Sequence, residues 1–386
     1  MSSSVSFASS LGRERDIDLV LITGAGASRE FGNGGKQMPL MNDWSNTIFN
    51  KLSKMDPAYL ELTGLSRNMT GEKFEMQLGK FLQQVEAFRL IDSLLEASVS
   101  FQPHNRFNSK DLQELHKATS HKLEQIVEAI RESLYEEFSS EGFDAKKATE
   151  SYEQLFKTLG ITHNSRLVVA TTNYDVIAET VLENLGYLPD WGGPAATGHS
   201  GAPKLHVKNI LEGMPRYVPV LHLHGRVGWY RIYNGVENFT SNDLGATRQQ
   251  YRRDLGVPIV MLPDPNKAYD DNDVISALWA QFQDALQRAK AVLILGHSLN
   301  DQALINAIAS NVKPLERVGV TLLAKSGQPD QIEESAKATG KKVEQYLGNA
   351  KVITMRFGAR TDDDTRYGLT KIKEWISYLD RLKLQS

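Results

Sequence analysis

The sequence predicts an α/β fold in which helices cover both faces of a parallel sheet, with a helical insertion after the first strand. From residue 291 onward, short apolar runs alternate with amphipathic segments. Such alternation with short connections is typical of a parallel sheet. Between Met41 and Gly160, by contrast, strand patterns are almost absent and long helical periodicities follow one another. This stretch predicts an insertion of about four helices.

The predicted strands are short apolar-rich runs, as expected for strands buried on both faces. In chain order they are Ile17–Ile22, Leu167–Thr171, Val218–Leu223, Trp229–Tyr233, Pro258–Leu262, Ala291–Leu295, Val318–Leu323 and Val352–Phe357. The predicted helices are Met41–Lys54, Glu72–Ala97, Ser109–Phe138 and Thr149–Leu159 in the insertion, then Val176–Leu185, Asp273–Arg288, Asp301–Asn311, Pro329–Leu347 and Asp364–Leu382. The segments Asp190–Met214 and Asn234–Gly256 are predicted to be irregular.

Composition excludes several classes of function. The net charge of −3 gives no electrostatic reason to expect a nucleic-acid partner. The chain has no cysteine, so disulfides and cysteine-based zinc sites are excluded. Apolar runs such as Ala291–Leu295 are too short to span a bilayer. The serine-rich residues 1–15 lack the pattern of a signal peptide and are expected to be a disordered lead-in. We therefore expect a cytoplasmic protein with no membrane partner.

Three stretches follow or end predicted strands: Gly24–Ser28, Thr171–Asp175 and Leu221–Gly225. In an open parallel sheet, ligands bind at the carboxyl ends of the strands. The sequence therefore predicts that a glycine loop, an Asn/Asp loop and a histidine meet at one edge of the sheet.

The glycine loop has two interpretations. Glycines after a strand let the backbone turn sharply and approach a pyrophosphate, but they also serve in a tight turn without a ligand. The dehydrogenase fingerprint is incomplete, because Arg29 occupies the place of its third glycine and a helix replaces the strand that would carry its acidic residue.

The other two stretches also have structural alternatives. Asn173 or Asp175 could cap the helix that follows, or Asn173 could hold a sugar hydroxyl or a water. His222 and His224 lie two residues apart, so they share one face if the strand continues. Without a further ligand nearby they do not favour a metal site. His222 is expected to be a buried core histidine, whereas the position of His224 at a strand end fits either a structural role or a general base.

A fourth loop, Gly296–Leu299, again ends a predicted strand. With it, the order of motifs resembles the sirtuin family: a Gly-Ala-Gly-x-Ser loop, a Thr-x-Asn-x-Asp loop, His224-Gly225 and a Gly-x-Ser-Leu loop. Pro39, with Trp44 after it, looks like a remnant of the family's proline-containing cofactor loop. The resemblance covers about residues 15–45 and 165–357.

The resemblance implies a Rossmann-like, NAD-binding domain made of residues 16–45 and 161–386, with residues 46–160 as the helical insertion. It implies that NAD is the substrate and that Asn173 and His224 are catalytic. No metal is expected, because the chain has no cysteine and no further ligand near His222 and His224. The implied NAD-binding residues are Gly24, Ala25, Gly26, Ser28, Thr172, Asp175, Gly296 and Ser298.

A departure from the family pattern decides which activity we expect. Protein-deacylating sirtuins carry a zinc module with four cysteines, and this chain has none. The chain therefore looks more like bacterial sirtuin-like effectors of antiphage defence, whose family chemistry is hydrolysis of NAD to ADP-ribose and nicotinamide. Such effectors commonly act as oligomers, and some pair with a partner such as a HerA-like hexameric ATPase or an Argonaute. The resemblance therefore implies a homo-oligomer with a partner of this kind. A protein deacylase, a non-enzymatic sensor of NAD or ADP-ribose, and a structural partner are the alternatives.

Overall fold

A computed structural model of the 386-residue chain describes most of its length. The described residues are 15–35, 37–39, 41–69, 73–74, 76–85, 87–88, 110–138, 142–192, 207, 209–233, 237–241, 257–260, 273–323, 340–355 and 373–377. Of the lead-in predicted at residues 1–15, only Arg15 is among them. None of the helices in these ranges combines the length and apolarity needed to cross a bilayer.

A seven-stranded sheet with parallel pairing throughout forms the middle layer, which confirms the predicted α/β fold class. Its strands are β1 (Ile17–Thr23), β2 (Leu167–Thr171), β3 (Pro189–Asp190), β4 (Val218–His222), β8 (Ala289–Leu295), β9 (Val318–Leu323) and β10 (Lys351–Met355). The spatial order is β10-β9-β8-β1-β2-β4-β3, with β1 in the centre. The chain therefore builds outward from β1 on one side and then returns to build outward on the other, so a topological switch point lies between β1 and β8.

A second, three-stranded antiparallel sheet forms from β5 (Gly225–Tyr233), β6 (Glu237–Ser241) and β7 (Val257–Val260). The prediction that segment 234–256 is irregular was wrong for β6. That strand reads Glu-Asn-Phe-Thr-Ser and has little apolar pattern. It pairs with β5 through backbone hydrogen bonds, which a hydrophobicity pattern does not report.

The helices are α1 (Ala25–Ser28), α2 (Met41–Met55), α3 (Ala58–Thr63), α4 (Lys110–Phe138), α5 (Ala145–Leu159), α6 (Ile177–Asn184), α7 (Asp273–Arg288) and α8 (Gln302–Asn311). Residues 76–85, 340–347 and 373–377 are also helical, inside the helices predicted at 72–97, 329–347 and 364–382. Residues 73–74 and 87–88 of the first prediction are helical as well, and the rest of the three predictions falls outside the described residues.

Between β1 and β2 the described residues contain helices and turns but no strand, as predicted. These helices pack on one face of the sheet, where Trp44 of α2 and Ile130 of α4 share a core with Leu21 and Val169. The Trp44 indole donates a hydrogen bond of 3.0 Å to the Ser133 hydroxyl of α4. The sheet itself thus supplies the surface that these amphipathic helices bury. The division into domains at residues 45 and 160 stays a prediction.

The opposite face of the sheet carries α7 and α8. Val20, Ile22 and Val168 point to this side, where they pack with Phe282 of α7 and Ile308 of α8. Leu19 and Leu21 of β1 therefore enter one core and Val20 and Ile22 the other, as the two-residue period of a strand requires. The result is the three-layer arrangement that the sequence predicts.

Candidate functional site

The central strands end in one row at the carboxyl edge of the sheet. Thr23 of β1 is paired with Leu295 of β8 and with Thr171 of β2, and Thr171 is paired with His222 of β4. Neighbouring strands lie only about 4.8 Å apart. The four loops singled out in the sequence therefore leave the sheet side by side.

The glycine loop packs directly against the Gly296 loop across the switch point. The amide of Gly24 donates to the Leu295 carbonyl and that of Gly26 to the Gly296 carbonyl, both at 2.9 Å. A Cβ atom at Gly26 would lie 2.7 Å from the Gly296 carbonyl oxygen, and one at Gly24 would lie 2.8 Å from both that oxygen and the His297 Cα. Close approach of two backbones thus requires both glycines. Because their amides are already engaged, neither glycine offers its N–H to a ligand.

Ser28, Asn173 and Asp175 form a buried chain of hydrogen bonds between the first two loops. The Asn173 Nδ2 donates to the Ser28 hydroxyl at 2.9 Å, and that hydroxyl donates to Asp175 Oδ2 at 2.8 Å. All three residues are buried. Two residues predicted from separate motifs, 145 positions apart, are therefore in direct contact.

Asp175 also has the structural role that the sequence left open. Its Oδ1 accepts the Ile177 amide at 3.1 Å, at the first turn of α6. Burial raises the pKa of the Asp175 carboxyl to about 6, although the hydrogen bonds from Ser28 and Ile177 act in the opposite direction. Asn173 does not cap that helix. Its backbone N–H donates a hydrogen bond of 3.0 Å to the Thr171 hydroxyl.

Tyr174, between Asn173 and Asp175, connects the site to the helical insertion. Its ring centroid lies 6.2 Å from that of Trp44 on α2 and 5.9 Å from that of Phe138 on α4. Trp44 is fully buried, so its place is in the core. The helical insertion therefore supports the Asn/Asp loop through these aromatic contacts. The sequence analysis did not predict this role.

His224 pairs with an acidic residue that the sequence analysis did not select. Its Nε2 lies 2.8 Å from Asp301 Oδ2, and both side chains are buried. Asp301 Oδ1 accepts the Leu304 amide at 3.1 Å and so caps α8. Burial alone would raise the pKa of the Asp301 carboxyl, but the hydrogen bonds with His224 and Leu304 hold it well below its usual range.

The condition under which His222 and His224 would share one face, a strand that continues to Gly225, is not met. Strand β4 ends at His222, and the chain turns at residues 223–224 before β5 begins at Gly225 in the second sheet. Gly225 has a φ of +92°, in a region that favours glycine. Because of this turn, the two imidazoles contact different carboxylates.

His222 is a buried core histidine, as predicted. Its Nε2 lies 3.0 Å from Glu179 Oε1 on α6, and the Arg226 Nε donates to the same oxygen at 2.6 Å. Burial would raise the pKa of the Glu179 carboxyl, but these two partners lower it. The Arg226 guanidinium lies 3.9 Å above the ring of Trp191. This buried cluster fixes α6, and with it Asp175, against β4.

His297 is a further histidine at the same edge. Its Nδ1 accepts the Leu299 amide at 3.0 Å, across a turn in which Leu299 has a φ of +55°. Loss of solvent around the ring lowers the pKa of His297 to about 4. A neutral imidazole that accepts at Nδ1 carries its hydrogen on Nε2.

The other predicted ligand residues line the same edge. Ser298 is exposed, and its carbonyl accepts from the Lys342 ammonium at 3.3 Å. The Gly296 amide faces the Thr321 hydroxyl at 3.4 Å. The Thr172 amide donates to the Thr23 carbonyl at 3.1 Å, which anchors the second loop to the end of β1. Ala25 is exposed at the start of α1.

Asp301, Glu179 and Arg226 are the charged side chains that sequence analysis missed here. The sequence did contain a signal for Asp301. An aspartate just before a predicted helix is in the capping position, and one that follows a strand end lies at the edge of the sheet where ligands bind. Glu179 and Arg226 gave no such signal, since their pairing depends on the packing of α6. Within the described ranges, no group of three or more His, Asp or Glu side chains could hold a metal ion.

Comparisons with known proteins give one informative match. The family model for the SIR2-like domain matches residues 167–344, a little under half of the chain. The chain has no match among curated protein sequences.

Two solved structures are similar to the chain only weakly. One is Sir2Tm bound to a propionylated peptide, with 13% identity, a TM-score of 0.31, and coverage of 86% of this chain and 94% of that one. The other is cytosolic 5'-nucleotidase IIIB bound to cytidine, with 10% identity, the same TM-score of 0.31, and coverage of 95% and 87%. With TM-scores below 0.5, these two similarities carry no argument about the chain. The match to the SIR2-like domain applies to residues 167–344.

Proposed function

We propose that the protein is an NAD hydrolase that cleaves the N-glycosidic bond between nicotinamide and ribose. One observation carries the proposal: in a chain whose residues 167–344 match a SIR2-like domain, the Ser28–Asn173–Asp175 chain and the His224–Asp301 pair follow neighbouring strands that end in one row. A SIR2-like domain suggests NAD-dependent chemistry. The hydrolase assignment is the further step.

The reaction needs positioning more than strong acid or base chemistry. The bond between ribose C1′ and the nicotinamide nitrogen breaks, and its electron pair stays with nicotinamide, which leaves as a neutral molecule. The ribose becomes oxocarbenium-like, water adds to C1′, and one proton leaves that water. Holding the reactants in place and stabilising the developing charge can supply most of the rate.

Asn173 and His224 are the proposed catalytic residues. Asn173 is assigned to the nicotinamide ribose or the attacking water, because its amide is held in place by Ser28. His224 is assigned to accept the proton, because it is held by a carboxylate. Asp175 is assigned an orienting role, since both of its oxygens already accept hydrogen bonds.

The proposed substrate position follows the row of strand ends. The pyrophosphate is assigned to the glycine loop near Ala25, since the amides of Gly24 and Gly26 are engaged elsewhere. Ser28 and Thr172 lie toward the catalytic end of the row, and Gly296 and Ser298 are assigned to the adenosine ribose. Crossing a switch point in this way is how dinucleotides bind open α/β sheets.

The absence of cysteine supports hydrolysis over deacylation. The four-cysteine zinc module of deacylating sirtuins cannot be built from a chain with no cysteine. The resemblance to defence effectors further supports a role in NAD depletion during phage infection, in the cytoplasm, as a homo-oligomer. The chain has no Gly-x4-Gly-Lys-Ser/Thr motif, so any ATP-driven step needs a partner such as a HerA-like ATPase.

The test is incubation of purified protein with NAD, alone and with an acylated peptide, followed by chromatographic analysis of the products. We expect ADP-ribose and nicotinamide without peptide, and a loss of at least about 100-fold in rate for Asn173→Ala and His224→Ala. Asn184→Ala and His163→Ala are matched controls, since both residues are exposed and lie away from the strand ends.

Three results would contradict the proposal. Full activity in both Asn173→Ala and His224→Ala would remove the assigned residues. Nicotinamide release that requires the peptide would favour a deacylase. Tight binding of NAD without turnover would favour a sensor.

A further inference from the structure

We infer that Asp301 is a positioning residue that fixes the tautomer of His224, so that Nδ1 is the nitrogen that accepts the proton. The inference rests on the proposed NAD hydrolysis for its kinetic consequence, but the tautomer itself can be measured independently.

Both oxygens of the Asp301 carboxylate are engaged, and this fixes the geometry of the His224–Asp301 pair. His224 Nε2 and Asp301 Oδ2 are 2.8 Å apart, and the two residues are 4% and 7% exposed. The second oxygen of Asp301 is occupied by the Leu304 amide at 3.1 Å. With one oxygen fixed by the first turn of α8, the other has a defined direction toward the imidazole.

The chemistry of the carboxylate then assigns the hydrogen. An ionised carboxylate accepts hydrogen bonds and cannot donate them. The hydrogen in the His224–Asp301 contact must therefore lie on Nε2. In the neutral imidazole the lone pair is then on Nδ1, which becomes the basic nitrogen.

Asp301→Asn inverts this arrangement while it preserves the helix cap. Asparagine caps helices as well as aspartate does, so its Oδ1 can keep the Leu304 amide. Its Nδ2 then faces His224 and donates to Nε2, which moves the imidazole hydrogen to Nδ1. The equivalent change beside the catalytic histidine of serine proteases lowers kcat by about 10⁴ through the wrong tautomer.

We expect Asp301→Asn to lower kcat by about 10² to 10⁴ while KM for NAD changes by less than about threefold. Asp144→Asn is the matched control. Asp144 caps α5 through the Lys147 amide at 3.0 Å, so the substitution removes the same charge from the same kind of cap without a histidine. Its kcat should equal that of the wild type, and thermal unfolding should show both variants folded.

Nitrogen NMR of protein labelled with ¹⁵N-histidine measures the tautomer, with the His224 signals identified by their loss in His224→Ala. Hydrogen on Nε2 in the wild type and on Nδ1 in Asp301→Asn supports the inference. Hydrogen on Nδ1 in the wild type overturns it, and so does an unchanged kcat in Asp301→Asn.

The two proposals fail in different ways. If the wild type releases no nicotinamide from NAD, the proposed function falls, and the NMR signal of the wild type still decides the tautomer. If the wild type hydrolyses NAD and Asp301→Asn does so equally well, the positioning role falls and the hydrolase assignment remains.

Discussion

Replacing Gly26 with alanine tests whether the contact between the glycine loop and the Gly296 loop holds the centre of the sheet edge together. A Cβ at this position would lie 2.7 Å from the Gly296 carbonyl oxygen, 3.1 Å from its Cα and 3.3 Å from its carbonyl carbon. All three atoms are backbone atoms, so no side chain can rotate away.

The expected magnitude follows from these distances. Comfortable contacts between carbon atoms need about 3.5 Å or more, so the loops must separate by several tenths of an ångström. Overpacking of this kind costs about 1–3 kcal/mol. The separation also weakens the 2.9 Å hydrogen bond from the Gly26 amide to Gly296, which adds about 1 kcal/mol. We expect Gly26→Ala to lower the free energy of unfolding by about 2–4 kcal/mol.

Urea denaturation followed by circular dichroism measures this change. Gly340→Ala is the control, because a Cβ there has nothing within 4 Å and residue 340 is helical. Alanine should leave stability unchanged or raise it by up to about 1 kcal/mol at that position. If Gly26→Ala unfolds at the same urea concentration as the wild type, the two loops are not held in the contact described.

Two further predictions concern buried charges. Burial raises the pKa of the Asp175 carboxyl to about 6, above its value near 4 in the unfolded chain. Between about pH 4 and pH 6 the native state therefore keeps a proton on Asp175 that the unfolded state loses, so the free energy of unfolding falls as the pH rises. Asp175→Asn should lack that fall, worth about 3 kcal/mol between pH 4 and pH 7; equal pH dependence in urea denaturation of both proteins would count against the shift. Glu179→Ala leaves His222 and Arg226 buried without their shared partner and should cost about 3–5 kcal/mol. The exposed Glu150→Ala should change stability by less than about 0.5 kcal/mol in the same assay, and equal losses for the two would refute the role of the cluster.

The architecture of the sheet was largely predictable from local patterns. Strand β1 is apolar-rich, and its sequence predicted a strand that is buried on both faces. Helix α4, predicted at 109–138, is found at Lys110–Phe138. Strand β6 was not predictable from its apolar pattern, since it is polar and is held to β5, the preceding strand in the chain, by backbone pairing.

The site was predictable in its loops but not in its pairs. The rule that ligands bind at the carboxyl ends of parallel strands selected the loops of Ser28, Asn173, His224 and Gly296. No spacing in the sequence indicates that Asn173 bonds to Ser28, or that His224 bonds to Asp301, because those contacts depend on which strands are neighbours and in what register.

The sequence by itself determined most strands of the parallel sheet, which loops carry polar groups, and that no cysteine chemistry is possible, because these follow from local periodicity and composition. Only the tertiary structure decided that the turn at residues 223–224 separates His222 from His224. It also decided that Gly24 and Gly26 serve close backbone packing and that Tyr174 rests on the helical insertion. The physical reason is that hydrogen bonds and van der Waals contacts act over a few ångströms, and the partners in each case lie on elements that meet only after the sheet has formed.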